Sequence, residues 1–141
     1  MAISTAQARW NGDLKSGNGH MKTGNGGFDA PFSFKTRFEG EKGANPEELV
    51  GAALAGCFSM ALSHGLSSAG HVPTQVETSA KVHLDQVEGG FAIKKIELTC
   101  HATVPGIEAA KFQQIAEDTK KGCPVSKALT GTTIELKATL K

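Results

Sequence analysis

The chain carries almost no net charge. Fifteen lysines and arginines against fourteen aspartates and glutamates leave +1, so no strong field marks it for nucleic acid or a membrane surface. It has little that would carry it to or into a membrane. "MAISTAQARWNGD" holds no apolar run long enough for a signal h-region. The run from Leu49 to Leu62 is interrupted by Gly51, Gly56 and Ser59 and falls short of the roughly 20 apolar residues that span a bilayer. The expectation is a cytoplasmic protein. Cysteines number three, an odd count without close pairing, which does not make a disulfide framework. The five histidines, at 20, 64, 71, 83 and 101, form no HxxxH spacing, and there is no CxxC, so no metal site is expected. No Gly-x-Ser-x-Gly elbow occurs, and neither Gly-Asn-Gly continues to a GxGxxG phosphate loop.

What is present is 141 residues with 39% hydrophobic content, which predicts one domain, 1–141, with its own core. Ala6 to Trp10 alternates like a strand. "GNGHMKTGNGG" reads as two Gly-Asn-Gly turns flanking a short piece, a hairpin pattern. "FSFKTRF" puts Phe32, Phe34, Thr36 and Phe38 on one strand face and Lys35 and Arg37 on the other. Asn45, Pro46, Glu47 and Glu48 then start a helix. That helix is apolar around nearly its whole circumference and needs cover on all sides. Gly51, Ala52, Ala55 and Gly56 would admit another helix closely, a first hint of a dimer. Two alternating runs, Val76–Leu84 and Ile96–Val104, form a hairpin with a bulge near Lys94–Lys95. An amphipathic helix follows, with Phe112, Ile115, Ala116 and Thr119 on one face. A short helix capped by Cys123 and a last strand, Ile134–Leu140, complete an α+β chain with mostly antiparallel sheet.

The three cysteines differ. Cys100 sits on an apolar strand face and reads as a buried inert thiol. Cys57 lies mid-helix, as core filler or as a reactive thiol. A reactive Cys57 needs a cation from elsewhere to hold its thiolate, and Arg37 is the candidate. Cys123, at a helix start beside Lys120 and Lys121, is in a setting that favours thiolate; a plain capping role is equally open.

"TRFEGEKGANPEELVGAALAGCFSMAL" together with the distant "GCPVSKAL" resembles the OsmC branch of the OsmC/Ohr family, the osmotically inducible and organic hydroperoxide resistance proteins. "ARWNGDLKSGNG", "VPGIEAAKF" and "TIELKATL" fit as well, so the likeness spans the chain. It implies an OsmC-like fold in which sheets of two chains wrap central helices in an intertwined homodimer. It also implies a thiol peroxidase that reduces organic hydroperoxides to alcohols under oxidative or osmotic stress, with no cofactor. By position, Cys57 would be the peroxidatic cysteine and Cys123 the resolving one, joined in a disulfide on oxidation. Arg37 would hold the Cys57 thiolate, and Glu47, or the adjacent Glu48, would orient Arg37. A dithiol, of lipoyl type in the family, would reduce the disulfide.

Glu47 and Cys57 are ten residues apart, about 15 Å along one helix, so they cannot meet on it. Either Arg37 spans part of the gap or the site draws on two subunits. The apolar surround, with Phe38, Phe58 and Met60 expected to bind substrate, suits a peroxide with a hydrocarbon body. The alternatives are a dimer that binds an apolar ligand and a thiol sensor that reacts without turnover.

Overall fold

The structure, a computed structural model, describes residues 1–141. Its contacts gather into two compact units, Met1–Leu49 and Val50–Lys141.

The first unit is built on an antiparallel sheet of β1 (Ala6–Asn11), β2 (Asn18–Thr23) and β3 (Asp29–Phe32), with β2 in the centre. Cross-strand partners share a face, so Ala8, Met21 and Ala30 line up in one row and Trp10, Gly19 and Phe32 in the next. Gln7, Arg9, His20, Lys22 and Asp29 form the opposite, charged face. Gly19 permits the second row. A Cβ there would lie 2.6 Å from both the Trp10 and the Phe32 rings, whose centroids are 5.3 Å apart. The first Gly-Asn-Gly is therefore not a turn. It opens β2, while the chain reverses before it, where Asp13 accepts from the backbone N–H and hydroxyl of Ser16. Only the second Gly-Asn-Gly sits in a turn, closed by hydrogen bonds between Thr23 and Phe28.

"FSFKTRF" also departs from expectation. The strand stops at Phe32, and α1 (Phe34–Phe38) follows. Ser33 and Thr36 bond reciprocally, each side chain to the other's backbone N–H, a capping box that starts a helix against the alternating pattern. Phe34 and Phe38 then meet at i, i+4, with centroids 4.9 Å apart.

α2 (Pro46–Ser68) begins at the end of this unit and runs through the second. Asn45 caps it, accepting from Glu48 N at 2.9 Å and donating to Glu48 Oε1. At 23 residues it is longer than the sequence suggested, and by length and composition it could cross a bilayer. One face of it, Leu54, Phe58, Leu62 and Leu66 at i, i+4 spacing, is fully buried in the core of the second unit.

That core is completed by Ile96, Leu98, Cys100 and Ala102 of β5 (Gly90–Thr103) and by Phe112 and Ala116 of α3 (Ala109–Gly122). Each buried Leu or Phe is worth about 1.5–3 kcal/mol of transfer free energy. β5 pairs antiparallel with β4 (Gln75–Val87). The expected bulge is there: His83 faces Lys95 and Leu84 faces Ile93, leaving Lys94 over. After α3 and α4 (Pro124–Ala128), β6 (Thr133–Leu140) pairs with β5 in parallel. A helical crossover returns the chain in the same direction, so the last ladder is parallel in an otherwise antiparallel fold.

The small residues of α2 do not all serve one purpose. Gly51 is buried against the sheet, where a Cβ would come within 3.0 Å of Val82. Ala52, Ala53, Gly56 and Met60 form an exposed apolar stripe, with Met60 at 80%.

Candidate active site

In the first unit, α1 and the start of α2 bring Arg37 and Glu47 together. Arg37 Nε donates to both carboxylate oxygens of Glu47, at 3.0 and 3.2 Å, and Nη2 donates to Oε1 at 2.7 Å. Nη1 takes part in none of these bonds. Glu47 is buried, whereas the Arg37 side chain keeps a third of its surface exposed. The paired carboxylate fixes the plane of the guanidinium and leaves one edge available. Glu48 is occupied elsewhere, in the Asn45 cap, so the geometry separates the two neighbouring glutamates.

Arg37 also forms part of an apolar pocket of about 270 Å³, lined by Trp10, Leu14, Phe32, Phe34 and Phe38. Its guanidinium carbon lies 5.2 Å from the centre of the Phe38 ring, within cation–π range. Phe38, expected to bind substrate, lines this pocket. Trp10 and Leu14 were not anticipated. The signal for Trp10 was its place on the same strand face as Ala6 and Ala8.

In the second unit, α2 and α4 bring Cys57 and Cys123 together. Both are free thiols, and they lie close enough for each to shift the other's ionisation. Cys57 is half-buried and Cys123 is 1% exposed. Burial pushes the Cys57 thiol above its ordinary pKa; the Val125 backbone N–H opposes this, and the neighbouring Cys123 adds to it. Burial also works against the Cys123 thiolate. Hydrogen bonds from the Ser126 side chain and backbone, with the influence of the neighbouring Cys57 and the Val125 backbone, outweigh it and hold Cys123 below its ordinary value. The charge of the pair therefore favours Cys123. α4 has only five residues, too short for a large dipole, so the local hydrogen bonds set this preference rather than the helix start that the sequence suggested. Ser126 was missed; its signal was its place three residues after the cap, where a capping partner sits.

Phe58, expected to bind substrate, is fully buried in the core, on the i+4 stripe with Leu54 and Leu62. Met60, expected beside it, lies on the exposed stripe of α2. Cys100 is fully buried, its thiol pushed up by burial with the Thr78 side chain opposing.

A family model described as OsmC-like protein matches residues 39–137. The chain is 55% identical over 124 residues to Peroxiredoxin OsmC of Escherichia coli strain K12, covering 87% of each. It is 32% identical over 104 residues to the organic hydroperoxide resistance protein OhrB of Bacillus subtilis strain 168, covering 73% of this chain and 74% of that one. Among solved structures, an organic hydroperoxide resistance protein from Elizabethkingia anophelis superposes with a TM-score of 0.70 at 32% identity, covering 99% of this chain and 97% of the other.

Proposed function

Because the chain belongs to the OsmC family, we propose that it is a thiol-dependent peroxidase that reduces organic hydroperoxides to alcohols. The observation that carries this reading is the pairing of two free cysteines, Cys57 and Cys123, near enough to shift each other's ionisation, of which only Cys57 is partly open to solvent. The names of the relatives, peroxiredoxin and organic hydroperoxide resistance protein, support the reaction class.

The Cys57 thiolate attacks the distal peroxide oxygen. An S–O bond forms, the O–O bond breaks, and the alkoxide leaves and takes a proton from solvent. Cys57 is now a sulfenic acid. The Cys123 thiolate displaces its oxygen as water, closing a Cys57–Cys123 disulfide. A dithiol, possessing two thiols as lipoyl groups do, restores both cysteines by exchange and is itself oxidised to a disulfide.

Cys57 needs help that its own unit does not provide, since burial favours its neutral thiol. In this reading Arg37 supplies the cation, holding the thiolate and the charge that shifts onto oxygen. Glu47 keeps the guanidinium in the required plane. The aromatic pocket beside Arg37 takes the hydrocarbon body of the peroxide. The open stripe of α2 is covered by a second copy, giving a homodimer that works in the cytoplasm.

A steady-state assay with an organic hydroperoxide and a dithiol tests the reading. Sustained turnover supports it. A single stoichiometric oxidation would make the protein a sensor. No reaction would make it a module that binds an apolar ligand in the aromatic pocket.

A further inference from the structure

Three polar side chains are buried in this chain: Glu47, Thr119 and Ser126. Glu47 is spent on Arg37. The Thr119 hydroxyl is spent on the Ile115 carbonyl of its own helix. The Ser126 hydroxyl has a thiol for a partner: it lies 3.1 Å from Cys123 Sγ, and the Ser126 backbone N–H donates to the same sulfur at 3.4 Å. Neutral thiols are weak donors and weak acceptors, so a buried hydroxyl gains little from one. A thiolate is a strong acceptor, and the same contact then becomes a charge-assisted hydrogen bond. The placement suits the ionised sulfur and wastes the hydroxyl on the neutral one.

We infer that Ser126 is a positioning residue of the second half-reaction: its hydroxyl aims the Cys123 sulfur at Cys57 and holds it as the anionic nucleophile that closes the disulfide. This rests on the peroxidase reading and gives a role to a residue of the second motif that the proposed chemistry does not use. In the closing step the Cys123 sulfur forms a bond to the Cys57 sulfur while the Cys57 S–O bond breaks. The departing hydroxide takes a proton from solvent, and the Ser126 hydroxyl loses its anionic partner. In the reductive direction the same hydrogen bond makes Cys123 the better leaving thiolate, because a more acidic thiol leaves faster. The reductant is thereby directed to the Cys57 sulfur.

A hydrogen bond to an ionised group changes the thiolate population by roughly ten- to a hundredfold. Thiolate nucleophilicity falls as it is stabilised, with a sensitivity of about 0.4–0.5. Ser126→Ala should therefore close the disulfide about three- to tenfold more slowly than wild type near pH 6. Once both thiols are fully ionised at high pH, the order should reverse, the variant becoming a few-fold faster. Ser126→Thr, which keeps the hydroxyl, should restore the wild-type profile. The experiment is rapid mixing with one equivalent of cumene hydroperoxide, acid quench and mass analysis across pH, following sulfenic acid and disulfide separately. Equal closure rates at every pH, or uniform slowing in both the alanine and threonine variants, overturn the inference. Wild type alone is a further check: a closure rate that keeps climbing through pH 9 means Cys123 is not held as the anion. Ultraviolet titration of thiolate in the reduced protein needs no peroxide, and it should show ionisation at higher pH in Ser126→Ala. Failure of Cys57 to consume peroxide would overturn the peroxidase reading, while this titration still judges Ser126.

Discussion

The Glu47 carboxylate grips the Arg37 guanidinium through three hydrogen bonds of 2.7–3.2 Å, using Nε and Nη2 and leaving Nη1 outside the pair. An arginine held in this way cannot swing, and the proposed role requires that its free edge stay fixed on the reacting sulfur. Arg37→Ala should keep both thiols and slow the first oxidation by about 10²–10³-fold. The sign of the pH effect follows from Cys57. Burial raises its pKa, the reactive form is the thiolate, and the rate therefore rises with pH. Removing the cation should push that rise to higher pH, and alkali should recover only the part of the loss due to thiolate fraction. Rapid mixing of wild type and variant with hydroperoxide from pH 6 to 10 checks both the size and the sign. An unimpaired variant would reduce Arg37 to surface charge.

Glu47→Gln should lower kcat/KM by about tenfold, because a neutral amide cannot match the charge-assisted pair. The side chain keeps its size, so the aromatic pocket and the KM for a bulky peroxide should change little. Comparing kcat and KM for an aromatic and a small aliphatic hydroperoxide separates the two effects.

Oxidation with one equivalent of peroxide should produce a single intramolecular disulfide, Cys57 to Cys123, with Cys100 left reduced in the core. Cys57→Ser should abolish the first oxidation. Cys123→Ser should consume one peroxide per subunit and then stall or over-oxidise, since no thiol traps the sulfenic acid. Peptide mapping by mass spectrometry reads all three proteins. A bridge to Cys100 would break the assignment.

Gly19→Ala should destabilise the chain by about 1–3 kcal/mol, the usual cost of forcing atoms into a packed contact. Its Cβ would have to displace the Trp10 or the Phe32 ring, both 2.6 Å away. Denaturant unfolding measures this, and because both rings line the pocket, KM for a bulky hydroperoxide should rise as well.

Met60→Asp should weaken the proposed homodimer, because it puts a charge on the open stripe of α2, where Met60 is 80% exposed. Sedimentation at micromolar concentration should show one dimeric species for wild type and a smaller or unfolded species for the variant. A folded wild-type monomer would contradict the dimer.

Much was determined by the sequence itself. Period-two alternation located β4, β5 and β6 and even the extra residue at Lys94, since inward and outward positions repeat locally. Capping chemistry located the start of α2 and of α4 at Asn45 and Cys123. The motif pair around Cys57 and Cys123 was legible as a family pattern. Local signals misled where two of them competed. At Ser33–Thr36 a capping box overrode strand alternation, and at Gly19 an Asn-Gly pair looked like a turn when the glycine was needed to let two rings meet. Tertiary structure alone decided which side of α2 is core. The helix is apolar all round, so no periodicity could say that Phe58 faces inward and Met60 outward. It also decided the charge of the cysteine pair. The Ser126 bonds to Cys123 are local, but the burial of both sulfurs and the Val125 donor that acts on Cys57 from α4 exist only once the chain is packed.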